Sequence, residues 1–173
     1  MLVTQLIRLL WMLFLAALQV LVFNHVHLFG YATPMVYVAF LLTFALNASR
    51  IGLLLWSFLM GLAVDVGSGT PGMGAAATTL LGMLYQPLLR VMSPRDSADD
   101  LVPTYSSMGI APHIRFVALL VTVHHAVFYL LEAFTFHHPV QLLIAFLAST
   151  ALSLALILVL DTMRRKKART NTP

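Results

Sequence analysis

The chain contains no cysteine among its 173 residues. That absence removes disulfides, thiolate metal sites and cysteine nucleophiles together. Charge is almost as scarce: Lys, Arg, Asp and Glu make up 9% of the sequence, where a soluble domain carries about 25%. So little charge cannot clothe a water-facing surface, and most of the exterior must face lipid. No stretch has the length or polarity of a separate soluble module. The net charge of +4 is not a nucleic-acid footprint either. Half of the basic residues sit in the run Arg164, Arg165, Lys166, Lys167 and Arg169, directly after the last apolar stretch. Such a run anchors a membrane end and attracts anionic lipid, at about 1 kcal/mol per basic residue.

What the chain has in abundance is apolar sequence, 60% of all residues. Six apolar runs cover 9–23, 34–46, 51–64, 73–89, 116–136 and 140–160. A helix needs about 20 apolar residues to cross the hydrocarbon. The last two runs meet this, and the shorter ones can extend. Run one extends through Leu6 and Ile7 with Arg8 snorkelling, run two starts near Leu28 with Pro34 near its beginning, and run three reaches Val66. Alternatively, 34–64 forms a re-entrant hairpin with Arg50 at its tip. Bulky residues from Leu18 to Phe23 follow Ala16 and Ala17, so the first run reads as a retained helix and not as a cleaved leader.

The segments between the runs alternate in charge. One set carries Arg8, Arg50, Arg90, Arg95, Arg115 and the terminal basic run. The other set, 24–33, 65–72 and 137–139, carries no Lys or Arg. Basic residues near helix ends resist translocation, so the basic set marks the cytoplasm. The expectation is an all-α integral membrane protein of about six transmembrane helices in a compact bundle. Its transmembrane domain covers 1–163, with a cytoplasmic loop at 90–115 and a basic cytoplasmic tail at 164–173. Both termini are expected inside. Pro94, Pro103, Gly109 and Pro112 break the 90–115 segment, which reads as a solvated connector or a docking surface for a cytoplasmic partner.

The densest local pattern is GLAVDVGSGTPGMG at 61–74. Its glycines resemble a phosphate cradle, but the Lys followed by Ser or Thr that a P-loop requires is missing. A tight turn between two spans accounts better for Gly69, Pro71 and Gly72. A carboxylate is expensive at the bilayer centre, so Asp65 is expected at the interface. There it would cap the next helix, face water or contact a partner. Gly74, Thr78 and Gly82 follow at four-residue spacing, as do Ala145, Ser149 and Ser153. Small stripes of this kind let helix backbones approach in lipid. They serve internal packing or receive a partner's helix.

His124, His125 and Glu132 lie within the fifth run, and His125 and Glu132 share a helix face. Intramembrane ionisable groups are functional candidates, and His25, His27, His137 and His138 could join them. Yet no third ligand stands at metal spacing. No nucleophile motif and no paired carboxylates appear. The expectation is no enzyme, no metal and no cofactor, with a metalloenzyme using His125 and Glu132 as a remote competitor.

The stretch 57–96, SFLMGLAVDVGSGTPGMGAAATTLLGMLYQPLLRVMSPRD, resembles the rod shape-determining MreD family. Gly61, Asp65, Gly69, Pro71, Gly72 and Met73 follow that family's order. So do Pro94, Arg95 and Asp96, the paired His124 and His125, and Tyr129 to Phe134. The likeness covers essentially the whole chain. One departure is Gly74, where one branch of the family often has a histidine. The resemblance implies a non-enzymatic inner-membrane scaffold of the elongation machinery. Its implied partner is MreC, with MreB, RodA and the elongation transpeptidase as direct or indirect partners, in contact with membrane lipids. The family is also similar to the membrane substrate-binding subunits of energy-coupling-factor transporters, which implies a compact helical fold. A small-molecule-binding subunit of that kind is the competing reading. It would have a polar cavity lined by Asn47, Gln86, His124 and His125.

Overall fold

The computed structural model describes residues 2–26, 32–94, 97–134 and 139–170, with side chains up to Thr162. Among the described residues every regular element is a helix. Helix α1 spans Leu2–Leu21, α2 Arg50–Ser68, α3 Met73–Met92, α4 Tyr105–Met108, α5 Ile110–Glu132 and α6 Pro139–Thr170, with short 3-10 segments at Phe23–His25 and Val36–Thr43. His27, His137, His138, Arg95 and Asp96 lie outside the described residues.

The chain is embedded in a membrane. Four stretches are long and apolar enough to cross one: Leu2–His25, Arg50–Ser68, Ile110–Glu132 and Pro139–Thr162. Apolar side chains face outward as well as forming the core, and polar side chains of the helices are drawn inside. Leu6, Leu10, Phe14, Val140, Leu143 and Leu147 are exposed, while Gln19, Ser57, Asp65, Thr78, His113, His124, His125, Ser149 and Ser153 are buried. Such an exterior suits a lipid surround, where apolar side chains facing hydrocarbon cost nothing and polar groups must pair inside.

Six transmembrane helices are therefore not found, for two different reasons. The run 34–46 does not form a long helix. It forms a 3-10 segment of 8 residues, which at about 2.0 Å per residue reaches roughly 16 Å, about half of a hydrocarbon core near 30 Å thick. Val36 to Leu42 are all buried. A segment apolar on every side is wrapped by protein and offers no lipid-facing stripe. Helix α3 is long enough, at 20 residues, but its second half holds Gln86, Pro87 and Arg90. It packs mainly against α2 and α5, with Ala77, Thr78, Leu81, Tyr85 and Leu89 fully buried. Gln86 meets the backbone carbonyls of Leu46 and Ala48, while Arg90 is exposed near the helix end. Of the stretch expected to form either two spans or a re-entrant hairpin, α2 alone has the length and apolarity to cross.

Element boundaries follow local chemistry. Ser49 Oγ accepts from the Gly52 N–H and starts α2. Gly69, at φ 67°, ends it in the left-handed region, and Gly72, at φ 82°, opens α3; side chains rarely adopt either conformation. Thr104 and Ser107 form a capping box on α4. Helix α5 starts at Ile110, earlier than expected from the proline pattern, because Pro112 sits in its first turn, where a missing N–H costs nothing. Leu101 and Met108 are buried, and the Leu46 N–H donates to the Leu101 carbonyl at 2.8 Å. Part of the expected solvated loop is thus packed into the end of the bundle.

Helices α1 and α2 run the same way. Trp56 Nε1 donates to Gln5 Oε1 near their starts, and Asn24 Nδ2 donates to Ser68 Oγ near their ends. The starts of α1, α2 and α5 and the end of α3 therefore share one end of the bundle, which holds Arg8, Arg50, Arg90 and Arg115. Arg8 is half-buried, and its guanidinium lies 4.6 Å from the centre of the Phe44 ring.

Candidate functional site

Three polar assemblies stand out, two of them built around residues that the sequence singles out. The first is the α2–α3 hairpin. Asp65 is 4% exposed and sits one turn before the end of α2. Its Oδ1 accepts from the Gly74 N–H and from Thr70 Oγ1, both at 2.8 Å, and its Oδ2 accepts from the Ala75 N–H at 2.8 Å. The carboxylate thus caps α3 across the 69–72 turn, binding amides at the positive end of that helix. Asp65 does not stand in water at an interface as one expectation had it; its oxygens are taken up within the chain.

The small stripes are internal. A Cβ on Gly61 would collide with Thr78 Oγ1 and the Gly74 carbonyl. One on Gly82 would come within 2.6 Å of Ser57 Oγ. Gly74, Thr78 and Gly82 on α3 therefore face Asp65, Gly61 and Ser57 on α2, two four-residue stripes in direct contact. Thr78 Oγ1 donates back to the Gly74 carbonyl at 2.7 Å, which hides its polar group in the seam. Neither stripe offers a face to a partner's helix. Pro71 stands exposed in the turn.

The second assembly holds the irregular passage 33–48. Gln19 on α1 accepts from the Val36 N–H through Oε1 at 2.9 Å, and donates through Nε2 to the Pro34 carbonyl at 2.8 Å and to Asn24 Oδ1 at 3.0 Å. Ser149 and Ser153 on α6 accept from the backbone N–H groups of Thr33 and Met35 at 3.0 and 2.8 Å. At the other end, Tyr85 donates to the Phe44 carbonyl, and Gln86 to those of Leu46 and Ala48. Buried backbone without helical hydrogen bonds survives in a membrane only where protein supplies such partners.

His125 belongs to the same network. Its Nδ1 lies 2.8 Å from the Val121 carbonyl and its Nε2 lies 3.0 Å from Ser153 Oγ. A carbonyl can only accept, so Nδ1 carries the proton. Ser153 also receives the Met35 N–H, and both ring nitrogens of His125 are engaged. His124 Nε2 meets the Tyr37 hydroxyl at 3.1 Å. Among the described residues no three His, Asp or Glu side chains gather at metal spacing, and Glu132 stands away from the pair at the end of α5.

A cavity of about 400 Å³ opens at the end of the bundle away from the arginines. Asn24, Tyr37, Phe128, Tyr129, Glu132 and Gln141 contribute to its walls. The expected lining was different. Asn47 is exposed, Gln86 is spent on carbonyls, and His124 and His125 lie outside the lining set. Polar side chains at 47 and 86 are visible in the sequence, but the non-helical passage that consumes Gln86 is not.

The third assembly was missed. His113 is fully buried, and its Nε2 lies 2.7 Å from Asp161 Oδ2, a close contact although its angle is not that of a hydrogen bond. The Tyr105 ring packs on His113 at 4.4 Å. Asp161 at the end of an apolar run was the available signal, because ionisable groups within membrane helices seek partners.

No protein-family model, curated protein or solved structure matches the chain.

Proposed function

We propose that the chain is a non-enzymatic scaffold of the bacterial elongation machinery, of the MreD kind. In this reading it sits in the inner membrane with both termini cytoplasmic, binds MreC and helps couple MreB to peptidoglycan synthesis by RodA and its partner transpeptidase. The compact helical arrangement implied by the likeness to energy-coupling-factor substrate-binding subunits is part of the same proposal. One observation carries it: of the resemblance motif, Gly61, Asp65, Gly69 and Gly72 close a turn and seal two helices, which suits an architectural role. With both small stripes internal, a partner's transmembrane helix would lie on the exposed apolar faces of α1 or α6. The arginines clustered at one end favour that end as cytoplasmic.

Depletion in a rod-shaped host tests this reading. Cells should round up, and MreC should co-purify with the tagged chain. Unchanged shape and wall insertion after depletion would remove the reading.

The cavity favours a second reading, a small-molecule-binding membrane subunit. Ligand retained through purification, together with co-purification of an ATPase and no MreC, would support it over the first.

A further inference from the structure

The geometry points to the cavity between α1, α5, α6 and the Met35–Tyr37 passage as a binding site for a neutral, hydroxyl-rich molecule. The chemistry is that of a sugar or polyol, free in solution or carried as an uncharged lipid headgroup. The inference deepens the second reading above and rests on it, naming the class of molecule that such a subunit would take.

The cavity has a fixed frame. At about 400 Å³ it falls within the range of roughly 300–1,000 Å³ usual for small-molecule sites. Gln19, 1% exposed, spends both amide atoms on Val36, Pro34 and Asn24, so the passage carrying Tyr37 cannot collapse inward without breaking those bonds. The Tyr37 hydroxyl is in turn tied to His124. Phe128 and Tyr129 are stacked on His124 and His125, which holds both rings as wall.

Charge balance selects against ions. Among the described residues no Lys, Arg or His lines the cavity, so an anion would find no counter-charge. The carboxylate in the lining, Glu132, already has an interaction of its own, so a cation would have to compete for it. Taking a charge out of water without a free opposite charge is strongly unfavourable. A neutral molecule meets no such cost.

The capacity left over is that of hydroxyls and amides. Ser68 Oγ accepts from Asn24 Nδ2 at 2.6 Å, and among the described residues its own O–H has no acceptor. Asn24 keeps its second N–H, with Oδ1 taken by Gln19. Thr70 Oγ1 donates to Asp65 and keeps its lone pairs as acceptors. Gln141 adds an exposed amide from α6. Donors and acceptors thus stand together, which suits ligand hydroxyls, since each of them both donates and accepts. The walls are also divided. Asn24, Ser68 and Thr70 come from the ends of α1 and α2, whereas α6 supplies Leu142 and Ala145. A sugar ring has the same division, with hydroxyls at its rim and C–H groups on its faces.

The test uses the full chain in a polyoxyethylene detergent, because maltoside detergents carry the ligand chemistry themselves. Equilibrium dialysis measures uptake of radiolabelled glucose. Unlabelled glucose, glucosamine hydrochloride and sodium gluconate compete, matched in size and different in charge. A parallel series follows thermal unfolding in nanodiscs with and without a glucosyl diacylglycerol. Saturable uptake displaced by glucose and not by the charged pair supports a free ligand. Stabilisation by the glycolipid alone supports a headgroup. Ser68→Ala should weaken either effect about fivefold, as expected for one lost hydrogen bond. Ala145→Leu, which fills the cavity from its apolar wall, should abolish it. The proposal is overturned if neither uptake nor glycolipid stabilisation occurs, or if Ala145→Leu binds like the wild type. Should Ala145→Leu fail to fold, an unchanged affinity in Ser68→Ala overturns it alone. Displacement by glucosamine or gluconate as effective as that by glucose overturns the choice of a neutral ligand and leaves the small-molecule reading standing. That reading falls separately, if the chain purifies with MreC, without an ATPase and without any retained small molecule.

Discussion

Residues 50–92 and residues 32–46 lie side by side in one bundle, yet their buried backbones are satisfied by different means. In the α2–α3 hairpin the helices supply their own hydrogen bonds, and the side chains at the seam are reduced to almost nothing: Gly61 against Gly74, Ser57 against Gly82. Only the turn between them needs outside help, which Asp65 gives. In the 32–46 passage the backbone is 3-10 or extended, and polar side chains from α1, α3 and α6 supply what a helix would have supplied. The hairpin is held by contacts that are local in sequence. The passage is held by residues more than a hundred positions away, such as Ser149 and Ser153. Damage to the hairpin should therefore abolish folding, while damage to the passage should loosen one region.

Gly61→Leu should have the largest effect. The added side chain has no space against Thr78 and the Gly74 backbone, and overpacking against backbone should cost about 3 kcal/mol or more. Little folded protein should be extracted in detergent. Full recovery would break the account of the seam. Asp65→Ala comes next. It strands the buried Gly74 and Ala75 amides, and a loss of about 2–4 kcal/mol is expected from unsatisfied donors at a charged acceptor. Asp65→Asn should recover part of this, since its amide oxygen still accepts. Reversible unfolding in mixed detergent measures both.

Much of the hairpin was legible in the sequence, because its signals are short-range. Glycine and proline spacing located the turn at 69–72, and small residues four apart marked a packing face. The second passage was not legible. From Pro34 to Leu46 the sequence is apolar on every side, which a transmembrane helix and a buried irregular segment share. What separates them is Gln19 on another helix and two serines on α6, and no local pattern connects these positions. The same limit explains the misplaced cavity. Asn47 and Gln86 look like lining because they are polar within apolar surroundings, and only the fold reveals that Gln86 has carbonyls to serve. His113 and Asp161 stayed hidden for a related reason: their partnership joins α5 to α6 across nearly fifty residues.

Smaller perturbations sharpen the contrast. Gln19→Leu keeps the volume but removes the acceptor for Val36 and the donor for Pro34, and should cost about 1–3 kcal/mol. The loss should be concentrated in residues 33–37, read as faster proteolysis or amide exchange there with the hairpin unaffected. Arg8→Ala removes the guanidinium from the Phe44 ring at the end of the passage and should cost no more than about 1 kcal/mol, the value of a partly exposed cation–π contact. A larger loss would mean that Arg8 anchors the passage more firmly than its single ring contact accounts for.

Amide hydrogen exchange of the wild-type chain and of Gln19→Leu, followed by mass spectrometry in detergent, tests the central claim most directly. In the wild type, peptides covering 33–46 should exchange as slowly as those from α2 and α3, although this stretch is not an α-helix. In Gln19→Leu the 33–37 amides should exchange at least about tenfold faster, the change expected for roughly 1.4 kcal/mol of lost local stability, with α2 and α3 unchanged. Fast exchange of 33–46 in the wild type, or acceleration spread evenly over all helices in the variant, would contradict a passage held inside the bundle by side chains.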